Sequence, residues 1–167
     1  AVYYLYILMK SSTNMSKYNI ELNFNDRNSL SVLLTRIKNN STVLEFGPAN
    51  GRMTKYMKEQ LNCKVFAVEI DEESGKDAKP YTEKIVIDSI ENYSWQSEFK
   101  DIKFDYMIFA DVLEHLYYPE KVLKSVRDFL KEEGSILISI PNIAHNAIVM
   151  GLLQNEFNYS PTGLLDD

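Results

Sequence analysis

The sequence has few of the features that mark a secreted, membrane-spanning or nucleic-acid-binding chain. It holds one cysteine, Cys63, among 167 residues, which excludes an internal disulfide and fits a reducing, cytoplasmic compartment. Its N-terminal apolar run, Val2 to Met9, is far shorter than the roughly 20 residues that span a bilayer, so no membrane span is expected. The formal net charge of −6 disfavours nonspecific binding of nucleic acid through a basic surface.

Glycine is also scarce, yet two of the six glycines fall in one short stretch between Thr42 and Thr54. There an apolar strand pattern ends in Glu45 and is followed by a Gly-x-x-x-Gly turn and a helix pattern. In open α/β sheets such a turn binds nucleotide-like ligands. The third glycine of the dinucleotide fingerprint and the Gly-Lys-Ser/Thr of a phosphate loop are both missing. The turn therefore favours a ligand with an amino group and a ribose but no pyrophosphate, and S-adenosylmethionine is such a ligand.

Strand and helix patterns alternate five times along the chain. Strands are predicted over 43–46, 64–70, 84–87, 104–110 and 135–140, and helices over 29–37, 52–60, 71–79, 119–131 and 142–154, with a turn or weak helix over 92–99. Ser29 is the predicted cap of the first helix, and Gly134 is predicted to end the helix that begins at Pro119. The strands are short apolar runs without polar alternation, which is typical of a parallel sheet covered on both faces. Right-handed crossovers then predict a doubly wound α/β fold.

Four acidic residues stand at or just after the ends of successive strands. They are Glu45, Glu69, Asp88 and Asp111. Because the carboxyl ends of parallel strands share one edge of a sheet, all four are expected there. Helix capping would account for one or two of them, but four beside a glycine turn favour a crevice for a ligand.

From about Tyr18 to Asn142 the chain resembles the class I S-adenosylmethionine-dependent methyltransferases. The matching segments are Val43 to Gly51, Val68 to Asp71, Asp88 to Ile90, Asp111 to Leu116 and Ser139 to Asn142. The resemblance is to the branch that includes ubiquinone-biosynthesis-type enzymes and glycan-associated methyltransferases. It implies a mainly parallel, Rossmann-like sheet with strand order 3-2-1-4-5 and transfer of a methyl group to oxygen or nitrogen of a small-molecule or sugar-containing acceptor.

The resemblance also implies roles for individual residues. Glu45 and the glycine turn would hold the methionine end, Glu69 the ribose hydroxyls, and Asp88 the adenine amino group, while Asp111 would border the methyl group. The full set assigned to the cofactor is Glu45, Phe46, Gly47, Pro48, Gly51, Glu69, Ile70, Asp71, Asp88, Ser89, Ile90, Ala110 and Asp111. Phe46 and Ile70 would supply apolar walls, and Asp71 is the weaker candidate, after Glu69, for the ribose.

His115 is the candidate general base, needed only if the acceptor atom carries a proton of high pKa. Further candidates to line or cover an acceptor pocket are Tyr18, Tyr117, Tyr118, His145 and Tyr159. The spacing Asp111-x-x-Glu114-His115 leaves open a metal-dependent RNA methyltransferase, although the negative net charge argues against RNA. The sequence also leaves open a nicotinamide-dependent oxidoreductase and a noncatalytic binding module.

The ends of the chain depart from the resemblance. Residues 1–14 are interpreted as an extension or linker, or else as an edge strand or partner-binding peptide, and residues 15–167 as the domain. Two C-terminal strands usual in such domains are not recognisable before Asp167. The fifth strand is thus expected at an exposed edge, which a dimer or partner would cover.

Overall fold

The computed structural model describes residues 4–5, 28–142 and 144–156. Its strands are β1 (Tyr4–Leu5), β2 (Thr42–Phe46), β3 (Lys64–Glu69), β4 (Lys84–Ile87), β5 (Phe104–Ala110) and β6 (Leu130–Ser139). Its α-helices are α1 (Ser29–Leu34), α2 (Arg52–Glu59), α3 (Glu72–Ala78), α4 (Ser94–Glu98), α5 (Pro119–Val126) and α6 (Asn146–Leu153). Short 3₁₀ turns span Lys79–Tyr81, Ile90–Asn92, Leu113–His115 and Arg127–Phe129.

The strands form one sheet in the order β1-β6-β5-β2-β3-β4, and each of these pairings is parallel. The five longer strands, counted from β2, follow the predicted order 3-2-1-4-5. The doubly wound α/β architecture is therefore confirmed. Its order reverses between β2 and β5, and ligands of such sheets bind at that switch point, beyond the carboxyl ends of the strands.

Two apolar clusters cover the two faces of the sheet. On one face Phe46 stacks on Phe109 with ring centroids 4.6 Å apart and meets the edge of Trp95 at 5.3 Å. On the other face Leu33 of α1 and Met57 of α2 are fully buried against β2, β3, β5 and β6. Burying each such side chain stabilises the fold by roughly 1.5–3 kcal/mol. The parallel strands are held between these clusters, so their carboxyl ends form a rigid edge.

The helix predicted over 119–131 is too long, and the prediction that Gly134 ends it is wrong. The α-helix ends at Val126, and a 3₁₀ turn leads into β6 at Leu130. Leu130 pairs with Phe104, and the next pair is Tyr106 with Ser135. The register therefore shifts at this point, because the residues of β6 between Leu130 and Ser135 have no partner in β5. A Cβ on Gly134 would lie 2.8 Å from the carbonyl oxygen of Phe104. Gly134 thus permits close approach of two strands instead of ending a helix.

The cap of α1 is Asn28, one residue before the predicted Ser29. The Asn28 side chain accepts a hydrogen bond from the Ser31 amide at 2.8 Å, and asparagine is as good a cap as serine. At the far edge of the sheet, Tyr4 pairs with Leu137 in β6. The expectation that the fifth predicted strand forms an exposed edge is therefore wrong at Leu137 and Ile138, which pair with β1. The proposed domain boundary, Tyr18, Tyr159 and the C-terminal segment lie outside the described residues.

A membrane span needs a longer apolar helix than any that the described residues form.

Candidate functional site

The acidic strand ends lie along one edge of the sheet. Phe46 is in register with Val68 of β3 and Phe109 of β5, so Glu45, Glu69 and Asp111 stand within about two residues of a common level. The Asp88 amide donates to the carbonyl of Glu69 at 2.9 Å, which continues that edge to β4. The predicted convergence of strand ends is present in the backbone.

Glu45 is a buried carboxyl with only 2% of its surface exposed. Its Oε2 accepts a hydrogen bond from Thr54 Oγ1 of α2 at 2.6 Å. Burial raises the pKa of Glu45 from 4.5 to about 7, because the charged form loses water, and the neighbouring charge of Glu69 adds to that rise. The bond from Thr54 opposes it. Glu45 is thus an acid that a cationic group could ionise at neutral pH.

Glu69 is buried as well, and its carboxylate joins two turns. One oxygen accepts from the Ala49 amide in the glycine turn, and the other accepts from the Asp71 amide after β3, both at 3.0 Å. Only 6% of the residue is exposed. Glu69 therefore fixes the position of the glycine turn relative to the end of β3.

The glycines of the turn are required by backbone conformation and by packing. Gly47 and Gly51 have φ angles of +66° and +73°. A Cβ on Gly47 would lie 2.9 Å from Val112 Cγ2, and a Cβ on Gly51 would lie 2.6 Å from Ala78 Cα. These contacts are with the chain itself, so the glycines allow α3 and the loop after β5 to approach the turn. Pro48, between them, is buried.

Asp71 and Asp88 are held by their own turns. Asp71 caps α3, accepting from the Ser74 amide at 2.7 Å, and this bond lowers the pKa of Asp71. Asp88 accepts from Ser94 Oγ at 2.6 Å and from Asn92 Nδ2 at 2.7 Å, which lowers the pKa of Asp88. Both carboxylates stay ionised at neutral pH, with oxygens already engaged.

The end of β5 is tied to β6 through Asp111. Its amide donates to the carbonyl and to Oγ of Ser139, and Ser139 Oγ donates to Asp111 Oδ1 at 2.8 Å. Asp111 has a φ angle of +56°, which a non-glycine residue rarely adopts and which these bonds help to hold. Ala110, just before it, is half-buried.

The predicted apolar walls divide between the core and the open edge. Phe46 and Ile90 belong to the buried cluster, with 1% and 8% of their surfaces exposed. Ile70 follows β3 and is 73% exposed, and Ile87 beside it is 43% exposed. Ser89 caps the 3₁₀ turn that begins at Ile90. Of the two predicted walls, only the Ile70 side chain lies at the accessible edge.

Arg52 was not singled out from the sequence, although it directly follows the glycine turn. Its Nε donates to Asn50 Oδ1 at 3.1 Å. Its Nη1 is the one fully buried side-chain polar atom without a hydrogen-bond partner in the described part of the chain. No sequence signal other than its place at the start of α2 indicates this.

Glu91 is a second residue that the sequence analysis missed. Its two carboxylate oxygens accept the backbone amides of Tyr117 and Tyr118, at 3.2 and 2.7 Å. It thereby holds the segment that follows His115. His115 itself is the last residue of a 3₁₀ turn and is exposed. Tyr117 is 88% exposed next to it. This long-range contact leaves no local pattern.

We expect Glu91→Ala to loosen this segment, because the substitution removes a charged acceptor from two amides. Amide hydrogen exchange at Tyr117 and Tyr118 should become about tenfold faster, corresponding to a loss of roughly 1.4 kcal/mol of local protection. Glu98→Ala is the matched control, since Glu98 pairs with Lys84 on the surface. Unchanged exchange in Glu91→Ala would contradict the role of Glu91.

Asp111, Glu114 and His115 do not form a metal site. Across residues 4–5, 28–142 and 144–156, no three histidine, cysteine, aspartate or glutamate residues group closely enough to hold an ion. The geometry gives no support to the metal-dependent RNA methyltransferase that their spacing suggested.

Comparisons with known proteins identify relatives over part of this chain. An uncharacterized protein of Methanocaldococcus jannaschii is 33% identical over 97 residues, which are 58% of this chain and 43% of that protein. The chain thus spans less than half the length of this curated relative.

Several solved methyltransferase structures share the fold. Coclaurine N-methyltransferase bound to N-methylheliamine and S-adenosylhomocysteine has a TM-score of 0.56 and 17% identity, covering 65% of this chain and 34% of its own. The plantazolicin methyltransferase BpumL with a monoazolic substrate analogue and S-adenosylhomocysteine has a TM-score of 0.58 and 20% identity, covering 74% and 48%. A TehB-like enzyme of Corynebacterium glutamicum has a TM-score of 0.54 and 18% identity, covering 66% and 62%. At such identities the likeness is one of fold.

The family model of the methyltransferase domain matches residues 21–160, which is most of the sequence. This match covers the glycine turn, the four acidic strand ends and the segment around His115. The resemblance to class I methyltransferases is confirmed, whereas its branch stays a prediction, and the chain belongs to the methyltransferase domain family.

Proposed function

We propose that this chain binds S-adenosylmethionine at the carboxyl edge of the sheet and takes part in methyl transfer to oxygen or nitrogen of a small-molecule or sugar-containing acceptor. The observation that carries the proposal is the pair of buried carboxyl groups, Glu45 and Glu69, on either side of the glycine turn of a methyltransferase domain. Two of the solved structures with this fold contain S-adenosylhomocysteine.

The chemistry of Glu45 fits the ammonium of the methionine end. One oxygen of Glu45 is bonded to Thr54, and the carboxyl forms no ion pair with a lysine or arginine of the described residues. Its pKa of about 7 shows that the charged form is disfavoured without a cationic partner. An ammonium next to Glu45 would relieve that cost, because opposite charges favour ionisation of both groups.

Glu69 fits the ribose hydroxyls, which would donate to a carboxylate already oriented by two backbone amides. The turn from Gly47 through Pro48 to Gly51 would carry the methionine end, and Asp88 would accept from the adenine amino group. The remaining proposed contacts are Phe46, Ile70, Asp71, Ser89, Ile90, Ala110 and Asp111. Phe46 and Ile90 would act from within the core that supports the edge.

S-adenosylmethionine supplies a methyl group already activated by a sulfonium. The chain must therefore chiefly align the acceptor and exclude water. His115 is the proposed base for an acceptor that must lose a proton, taking that proton on its imidazole. Glu91 acts as a positioning residue in this scheme, since it fixes the backbone that follows His115.

Isothermal calorimetry tests the cofactor proposal directly. The wild-type chain should bind S-adenosylmethionine and S-adenosylhomocysteine and should not bind NAD. Glu69→Gln should weaken the binding of S-adenosylhomocysteine by about tenfold to thirtyfold, because a charged acceptor is replaced by an amide whose NH2 group would face a backbone N–H, donor against donor. The same loss is expected for 5′-methylthioadenosine, which keeps the ribose.

Glu83→Gln is the matched control, since Glu83 is a surface carboxylate paired with Lys58. It should leave both affinities unchanged. Binding of NAD alone, or of none of these ligands, would overturn the proposed function and favour an oxidoreductase or a noncatalytic module.

A further inference from the structure

Asp111 has a strained backbone conformation at the end of β5. Its φ angle of +56° lies in the left-handed region, which residues other than glycine seldom adopt. Strain of this kind is retained mainly at functional sites. β5 adjoins β2 where the strand order of the sheet reverses, which is the place where ligands of such sheets bind. The conformation of Asp111 therefore calls for a functional explanation.

Ser139, at the end of β6, holds Asp111 in this conformation. The Asp111 amide donates to the carbonyl oxygen of Ser139 at 3.2 Å and to its Oγ at 3.1 Å, and Ser139 Oγ donates to Asp111 Oδ1 at 2.8 Å. Only 1% of Ser139 is exposed, so its hydroxyl lies in the packed interior. These bonds fix both the backbone and the carboxylate of Asp111, which therefore has a defined direction before any ligand binds.

The loop that begins at Asp111 lies against the glycine turn. A Cβ on Gly47 would stand 2.9 Å from Val112 Cγ2, so the residue after Asp111 reaches the turn that follows β2. Asp111 is half-buried and is accessible from the edge of the sheet. A ligand at this edge whose methionine end lies on the glycine turn would meet Asp111 close to its sulfur.

We propose that Asp111, positioned by Ser139, binds positive charge at the point of methyl transfer, and that the acceptor is an amine. This rests on the proposed function. As the amine nitrogen bonds to the methyl carbon, the carbon–sulfur bond breaks, its electron pair stays on sulfur, and the positive charge passes from sulfur to nitrogen. Asp111 accepts a hydrogen bond from the N–H of that nitrogen and stabilises the charge that develops there. The methylated ammonium then releases its proton to water.

An oxygen acceptor fits this arrangement poorly. A hydroxyl becomes a good nucleophile as it loses its proton, and the resulting anion would stand next to the carboxylate of Asp111. Like charges repel, and they repel more strongly where water is partly excluded. An amine offers its lone pair as a neutral group and becomes positive afterwards. The charge of Asp111 therefore selects nitrogen over oxygen.

Calorimetry with sinefungin and S-adenosylhomocysteine tests the proposal. Sinefungin carries an ammonium at the position of the transferred methyl group, whereas S-adenosylhomocysteine has a neutral thioether. The two ligands share their adenosine and amino-acid portions, so contacts with Glu45 and Glu69 contribute equally to both. The wild-type chain should bind sinefungin about tenfold more tightly, because it gains a hydrogen bond between opposite charges.

Two variants separate the charge of Asp111 from its position. Asp111→Asn removes the charge, while asparagine tolerates the left-handed conformation and its amide oxygen can accept from Ser139 Oγ. This variant should bind the two ligands within about twofold of each other. Ser139→Ala releases the carboxylate of Asp111 but leaves the carbonyl at position 139 available to the Asp111 amide. Its preference for sinefungin should fall to about threefold.

Ser125→Ala is the matched control, since Ser125 Oγ also donates to a protein oxygen, the carbonyl of Val122 in α5. It should keep the wild-type preference. A wild-type chain that binds both ligands equally would overturn the proposal, whatever the folding of the variants, and so would Asp111→Asn with the preference intact. An unchanged preference in Ser139→Ala would overturn the positioning role of Ser139. A wild-type chain that binds neither ligand would instead overturn the proposed function.

Discussion

Gly51→Ala is expected to destabilise the ligand-free chain by about 4 kcal/mol, which is the largest loss we expect from a single methyl group. Gly51 has a φ angle of +73°, and a left-handed conformation costs an L-residue roughly 1–2 kcal/mol. The new Cβ would also stand 2.6 Å from Ala78 Cα. Because that atom is backbone of α3, no side-chain rotation relieves the clash, and overpacking of this kind costs roughly 1–3 kcal/mol.

Gly47→Ala is the matched control for the packing part of this loss. Its φ angle of +66° carries the same conformational cost, but its Cβ would meet only a side-chain atom, Val112 Cγ2 at 2.9 Å, and not backbone. We therefore expect Gly47→Ala to lose only about 1–2 kcal/mol. Chemical denaturation measures both values, and the midpoint of thermal unfolding of Gly51→Ala should fall by about 10 °C. Equal losses in the two variants would contradict the close contact with Ala78.

The sheet could be predicted from the sequence because its strands are buried on both faces. Such strands are continuous apolar runs, and those at 84–87 and 104–110 have the predicted bounds in the structure. The position of the glycine turn could be predicted in the same way, since a turn after the first long strand of an α/β unit must lie at its carboxyl end. Local patterns were enough where the local environment decides the structure.

The junction after α5 could not be predicted in this way. Leu130 satisfies both the apolar stripe of a helix and the start of a strand, and its pairing with Phe104, 26 positions earlier, decides between them. Gly134 then has a role that only the close approach to Phe104 reveals. A local sequence pattern cannot predict a pairing with a residue so far away in the chain.

The candidate site shows the same division. The acids are visible as residues that follow strands, and the capping of α3 by Asp71 follows from its position before that helix. The hydrogen-bond partners of these acids could not be predicted from the sequence. The bond from Thr54 to Glu45 forms only because α2 packs near the end of β2. The bond from the Tyr117 amide to Glu91 joins residues 26 positions apart. The orphaned nitrogen of Arg52 is likewise a property of packing.

The ligand-free wild-type chain is expected to lose about 3 kcal/mol of stability, relative to Glu45→Gln, as the pH rises from below 4.5 to above 7. The unfolded chain releases the Glu45 proton near the ordinary pKa of 4.5, whereas the folded chain keeps it until about 7. Between these values the folded state binds more protons, so its stability falls with rising pH. Each pKa unit corresponds to about 1.4 kcal/mol, and the loss is complete above both values.

Glu45→Gln isolates this effect because the glutamine amide oxygen can still accept from Thr54 Oγ1. The carboxylates with lowered pKa, Asp71, Asp88 and Asp105, act in the opposite direction, but they are common to both chains and cancel in the difference. Urea denaturation at about pH 5 and about pH 8.5, on either side of most of the titration, measures the free energy of unfolding of both chains. That of the variant should rise relative to that of the wild type from the lower pH to the higher one. A difference that does not change with pH would contradict the raised pKa of Glu45.

Binding of S-adenosylhomocysteine should lower the raised pKa of Glu45. The ligand ammonium would favour the ionised form of Glu45, so binding at about pH 6.5 should release a proton from the wild type. Calorimetry in buffers of different ionisation enthalpy measures that release, and Glu45→Gln should show none of it from this site. Since Glu45→Gln removes the charged partner of the ammonium, it should also bind the ligand about tenfold to a hundredfold more weakly. A wild-type chain that binds the ligand without releasing a proton would place the ammonium away from Glu45.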